Sequence, residues 1–97
     1  VAIGRAARRA ERLSRVEAVF GTGTAPAALD LLELTELAWH DCYAEITPPE
    51  EIVDEILLCS RGDLGLLVQA ARLAVDDWRD LKVCAQAIRA EAKATKP

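Results

Sequence analysis

Apolar residues recur along this chain at intervals of three and four, and no segment alternates with period two. Four helices follow from that spacing and its punctuation. The first is expected from about Ala2 to Phe20, stopping at Gly21 in the small-residue link "GTGT". The second opens with Thr24 as N-cap and Pro26 in its first turn, and continues to about Glu45. The third opens at "TPPE", where Thr47 can cap, the prolines need no donor and Glu50 suits a capping box. It is expected to end near Ser60, with Gly62 as the left-handed terminator. Asp63 then caps a fourth helix running to about Lys93 with no proline to interrupt it.

Short links favour antiparallel neighbours. The expected fold is therefore all-α: an irregular antiparallel four-helix bundle with a long C-terminal helix. One domain spans 1–97, with residues 1–20 as a basic amphipathic helix that can be semi-detached, 24–94 as the bundle core and 95–97 as a tail. The second half of the last helix must find cover from the first helix or from a second subunit.

Helical-wheel geometry sorts the faces. The second helix should bury Ala28, Leu31, Leu32, Thr35, Ala38, Trp39, Cys42 and Ile46, with Glu33, Glu36, His40 and Tyr43 on a polar flank. The third should bury Ile52, Val53, Ile56 and Cys59, leaving Asp54 and Glu55 outside that face. The fourth carries a near-heptad path through Leu64, Leu67, Val68, Ala71, Ala74, Val75, Trp78, Leu81, Ala85 and Ile88. Leu66, Ala70 and Leu73 make a second strip beside it, which continues to Asp77 and Cys84. That is more apolar surface than one seam uses; where the first helix does not fill it, the surplus marks an interface, with Leu66 and Leu73 as contact residues.

Charge sharpens the picture because it is segregated. Residues 1–28 sum to +3, residues 29–63 to −9 and residues 64–97 to +2. Arg5, Arg8, Arg9, Arg12 and Arg15 project within an arc of about 120° on the first helix. Such a face suits carboxylates or phosphates. The acidic segment of the same chain, or of a second subunit, is the favoured receiver, since that acid belt would oppose DNA. These five arginines are the other expected partner contacts.

The chemistry-bearing residues do not converge. The only histidine, His40, lies about 200° from Cys42 on an intact helix, so "HDC" is no ligand pair. Glu36 and His40 at i, i+4 remain as weak metal candidates and as a pair that could make the imidazole proton-sensitive. A di-iron bundle needs two Glu-x-x-His motifs and a lone histidine supplies none. Cys42 and Cys59 should act as core hydrophobes, and Cys84 as the more reactive thiol. Three cysteines without CxxC spacing argue against a disulfide framework. "SRGD" is accounted for by a helix stop and start, and "GTGT" lacks the lysine of a phosphate loop.

No apolar run reaches bilayer length and no leader pattern opens the sequence, which sets the expectation of a soluble, cytoplasmic protein with no membrane association. No cofactor and no enzymatic activity are expected. The expected function is a small non-catalytic protein–protein interaction module, regulatory or scaffolding, self-associating as a homodimer or bound to a protein partner. The alternatives are a small-ligand or metal site on the Glu/His strip, and a nucleic-acid-associated regulator using the arginine helix.

Overall fold

The structure, a computed structural model, describes residues 4–95. Four helices occupy them: α1 (Arg5–Phe20), α2 (Ala25–Tyr43), α3 (Glu50–Ser60) and α4 (Leu64–Thr95). No strand occurs among the described residues, and the protein is all-α. The expected start at Ala2 and the tail beyond Thr95 lie outside the described residues.

The local signals act much as their chemistry dictates, with three differences. Gly21 ends α1 at φ 80°, and its N–H reaches the Glu17 carbonyl. Asp63 opens α4, its Oδ1 accepting the Leu66 N–H at 2.9 Å. The first difference is that α2 stops at Tyr43, where Ala44 turns left-handed (φ 59°), two residues before the expected end. The second is the start of α3. Pro49, not Thr47, takes the N-cap position, and the Thr47 hydroxyl donates instead to Glu36 at 2.7 Å.

The third is the largest. α4 is not one rod: Asp77 has extended dihedrals (φ −162°, ψ 104°) in the middle of it. Arg61, just before the helix, pairs with Glu91 near its end at 2.8 Å. A straight helix would hold residues 64 and 91 about 40 Å apart. The chain therefore doubles back at Asp77 into a first limb, 64–76, and a second limb, 78–95. The second limb returns alongside α3, with Lys82 near its start reaching Glu51 and Glu55 and Glu91 near its end reaching Arg61.

Side chains on both sides of the break build this turn. Asp77 caps the second limb, its Oδ1 accepting the Arg79 N–H at 3.0 Å, while the Arg79 guanidinium grips both carboxylate oxygens. The break leaves carbonyls at the end of the first limb without helical donors. The Tyr43 hydroxyl lies 3.1 Å from the Ala74 carbonyl and 2.9 Å from that of Val75, positioned to donate to either.

The core gathers Val16 from α1, Ala28, Leu29, Leu32 and Trp39 from α2, Ile52, Val53, Ile56 and Leu57 from α3, and Leu67, Ala74, Leu81 and Ala85 from α4. Ala70, expected on a side strip, is buried with them, and Leu73 packs against them. α1 lies along α2, and the α3–α4 turn approaches the end of α1 so closely that a Cβ on Gly62 would stand 2.8 Å from the Val19 carbonyl oxygen. Gly62 also sits at φ 76°, a conformation that side chains strain. Cys42 and Ile46, expected in the core, are exposed; α2 ends before Ile46 can return to its inner face.

Candidate functional site

The arginine face of α1 points into its own fold. Arg8 makes a fork to Glu36 through Nε (2.6 Å) and Nη2 (3.1 Å). Arg12 is almost fully buried and reaches Glu36 (2.9 Å), Thr47 (3.0 Å) and Glu50 (2.7 Å). Arg9 pairs with Asp30 at 2.7 Å and Glu33 at 3.4 Å, and Arg15 binds Glu50 and Asp54. Arg5 stands exposed at the start of the helix. Four of the five sequence-selected arginines are thus engaged with the acidic segment of the same chain.

Glu36 is the hub. Burial alone would raise its pKa, but hydrogen bonds from Arg8, Thr47 and Arg12 outweigh burial and hold it below the ordinary carboxylate value. Glu50 is held low first by its bond from Arg12, against burial, and then by Arg15. The expected Glu36–His40 pair is absent: Glu36 is turned onto α1, and His40 is exposed, with Asp41 at 4.0 Å. Glu36 and His40 are therefore not brought together for a metal. Among the described residues no three His, Cys, Asp or Glu side chains are grouped to hold one.

Glu55 corrects a second expectation. It is 3% exposed, not outward; Oε1 accepts from Lys82 at 2.7 Å and Oε2 has no partner among the described residues. Lys82 also reaches Glu51 at 2.6 Å. Beyond Glu55, burial pushes the Cys59 thiol up to about 12, and neighbouring Cys84 and Glu55 add to that effect. Cys84 is half-buried, so the most accessible thiol is Cys42, not the one that the helical wheel selected.

Two of the concavities have a largely apolar or aromatic lining. One is an apolar groove of about 270 Å³ between α2 and the first limb of α4, lined by Leu31, Leu34, Ala38, Val68, Ala71 and Val75 and edged by Arg72 and Asp76. Leu34 is 61% exposed there, Val68 41%, and Leu37 on the same helix 49%. Leu66, at 38%, is exposed on the first limb, whereas Leu73 is covered within the chain. Arg72 and Asp76 make no ion pair among the described residues, although Arg8, Arg9, Arg12, Arg15, Arg61, Arg79 and Lys82 all do.

The other is a pocket of about 310 Å³ where α2 ends, α3 begins and α4 turns back. Trp39, Tyr43, Trp78, Glu45, Glu51 and Lys82 line it. Trp78 owes its position to the break at Asp77, which no sequence periodicity marks. One signal was present: Asp77 followed three residues later by Asp80 resembles the start of a helix.

No helix among the described residues is long and apolar enough to cross a membrane. The chain matches no protein-family model, and no curated protein and no solved structure shows significant similarity to it.

Proposed function

We propose that this protein is a non-catalytic interaction module that self-associates through the groove between α2 and the first limb of α4. The observation that carries this reading is the groove itself, an apolar surface bearing exposed Leu34 and Val68 and edged by two charges that make no ion pair among the described residues. Soluble proteins keep such surface for association. A second copy is the occupant that the charges favour. Arg72 and Asp76 lie one turn apart, and a two-fold axis crossing the helix between them sets Arg72 of each copy opposite Asp76 of the other. The groove thus complements itself in charge as well as in apolarity.

The arginine helix supports this reading by being occupied. Phosphate binding by Arg8, Arg12 or Arg15 would have to break pairs with Glu36, Glu50 and Asp54. The pairs of Arg8 and Arg12 with Glu36 are desolvated, and pairs of that kind are expensive to open.

Light scattering on the size-fractionated protein tests the proposal. The expected result is a dimer mass for the unaltered chain and a monomer mass for Leu34→Glu with Val68→Glu. Arg72→Asp and Asp76→Arg should each weaken the dimer, and the two changes combined in one chain should restore it. A monomer at every concentration, or a dimer indifferent to the groove changes, would overturn the reading.

A further inference from the structure

Three of the four aromatic side chains of the protein, Trp39, Tyr43 and Trp78, meet in the pocket at the fold-back of α4. They come from two helices and are brought together only by the turn at Asp77. Trp39 and Tyr43 form one wall, with ring centroids 4.2 Å apart and planes tilted by 45°. Trp78, 39% exposed, stands on the second limb. Glu45, on the lining, accepts the Trp39 indole N–H at 3.1 Å, which fixes that ring.

The lining of the pocket is net acidic. Glu45 and Glu51 line it, Glu55 is buried behind Lys82, and Lys82 is the only basic group on the lining. Glu51 and Glu55 hold that ammonium, and Glu45 is a lining carboxylate with no ion pair among the described residues. Lys82 Nζ, one turn after Trp78 on the same limb, lies 5.9 Å from the centre of the Trp78 ring while bonded to Glu51 and Glu55, so the ring face already lies beside an ammonium. Aromatic faces backed by carboxylates favour cations, through the ring quadrupole and the local field, and repel anions. The volume falls at the small end of the range of small-molecule sites.

We propose that this pocket binds a small organic cation of the alkylammonium class, seated against Trp78 with Glu45 and Glu51 as its counter-charges. This site is separate from the self-association groove, and the proposal does not depend on it. Lys82 occupies part of the site in the ligand-free chain and moves toward Glu55 when the ligand enters. The head group could belong to a free amine or to an alkylammonium carried on a larger molecule; the chemistry of recognition is the same.

Titration calorimetry with choline, tetramethylammonium and 3,3-dimethyl-1-butanol, the neutral carbon isostere of choline, tests the assignment. Both cations should bind saturably and the neutral isostere should not. Trp78→Ala should weaken choline binding about tenfold, the scale of a desolvated cation–π contact, and Trp78→Phe should restore part of it. Glu51→Gln should weaken it as well. A peptide carrying a trimethyllysine, compared with free choline, distinguishes a tethered head group from a free one by which binds more tightly. Equal binding of the neutral isostere, no saturable binding of either cation, or choline affinity unchanged by Trp78→Ala would each overturn the proposal. The isostere comparison uses the unaltered protein and stands even if the variant folds poorly.

Discussion

Glu36 joins α1, α2 and the segment leading into α3, so its removal should be felt throughout the fold. With Arg12 left buried and deprived of this partner, Glu36→Ala is expected to cost about 3 kcal/mol in urea unfolding. The same carboxylate sets a pH response. Its native pKa lies below the ordinary 4.5, so the folded state gives up its proton more readily than the unfolded chain. The resulting stability is fully present above that ordinary value and drains away as pH falls through the depressed native one. Glu50 acts in the same direction. Acid titration of the midpoint should therefore fall more steeply below pH 4.5 in the unaltered chain than in Glu36→Gln. His40, exposed and away from Glu36, should be nearly silent: His40→Ala should change stability by no more than about 0.5 kcal/mol. The thiols should separate by accessibility. In timed alkylation read by peptide mass, Cys42 should label first and Cys59, buried and pushed up to about 12, last.

Among the elements, α4 holds the chief lesson. Its residues have good helical spacing on both sides of Asp77, and neither proline nor glycine announces a break. What breaks it is a set of compensations: Asp77 caps the second limb, and Tyr43, thirty-odd residues upstream, serves the carbonyls of the first. Tyr43→Phe keeps the ring and removes the donor, and should cost about 1 kcal/mol. The reversal itself can be read chemically. Arg61→Lys should form a zero-length amide cross-link to Glu91 under carbodiimide, found by mass spectrometry; a straight helix would forbid it, with the groups about 40 Å apart. The α3–α4 turn is equally demanding. Gly62→Ala would press a methyl group against the Val19 carbonyl at positive φ, and a loss above about 1 kcal/mol is expected by thermal unfolding.

For the whole molecule, charge segregation and apolar surplus resolve differently. The basic first helix and the acidic middle segment satisfy each other within one chain, so a net charge of −4 is spread over a structure whose strongest opposite charges are already spent. The apolar surplus is partly absorbed: Ala70 and Leu73 find cover because α4 doubles back, supplying internally the cover that a straight final helix would have had to seek elsewhere. Part of it remains open, in the groove at Leu34 and Val68 and at scattered positions such as Ile46 and Val83.

Helix number, most boundaries and the inward apolar face of α3 were legible in the sequence, because capping chemistry and 3.6-residue periodicity are local and each residue type carries its own signal. The complementarity between the arginines and the acidic segment could be read as well, since charge is additive along a chain. The partners could not. Helical spacing put Glu36 beside His40, yet the fold gave it to Arg8 and Arg12, because a buried carboxylate takes the donors that packing brings within reach. Cys42 and Ile46 lost their expected cover and Glu55 gained some, for a wheel describes one helix and burial depends on its neighbours. The fold-back of α4, and the aromatic pocket that it closes, required contacts between residues thirty positions apart, and no local pattern encodes those.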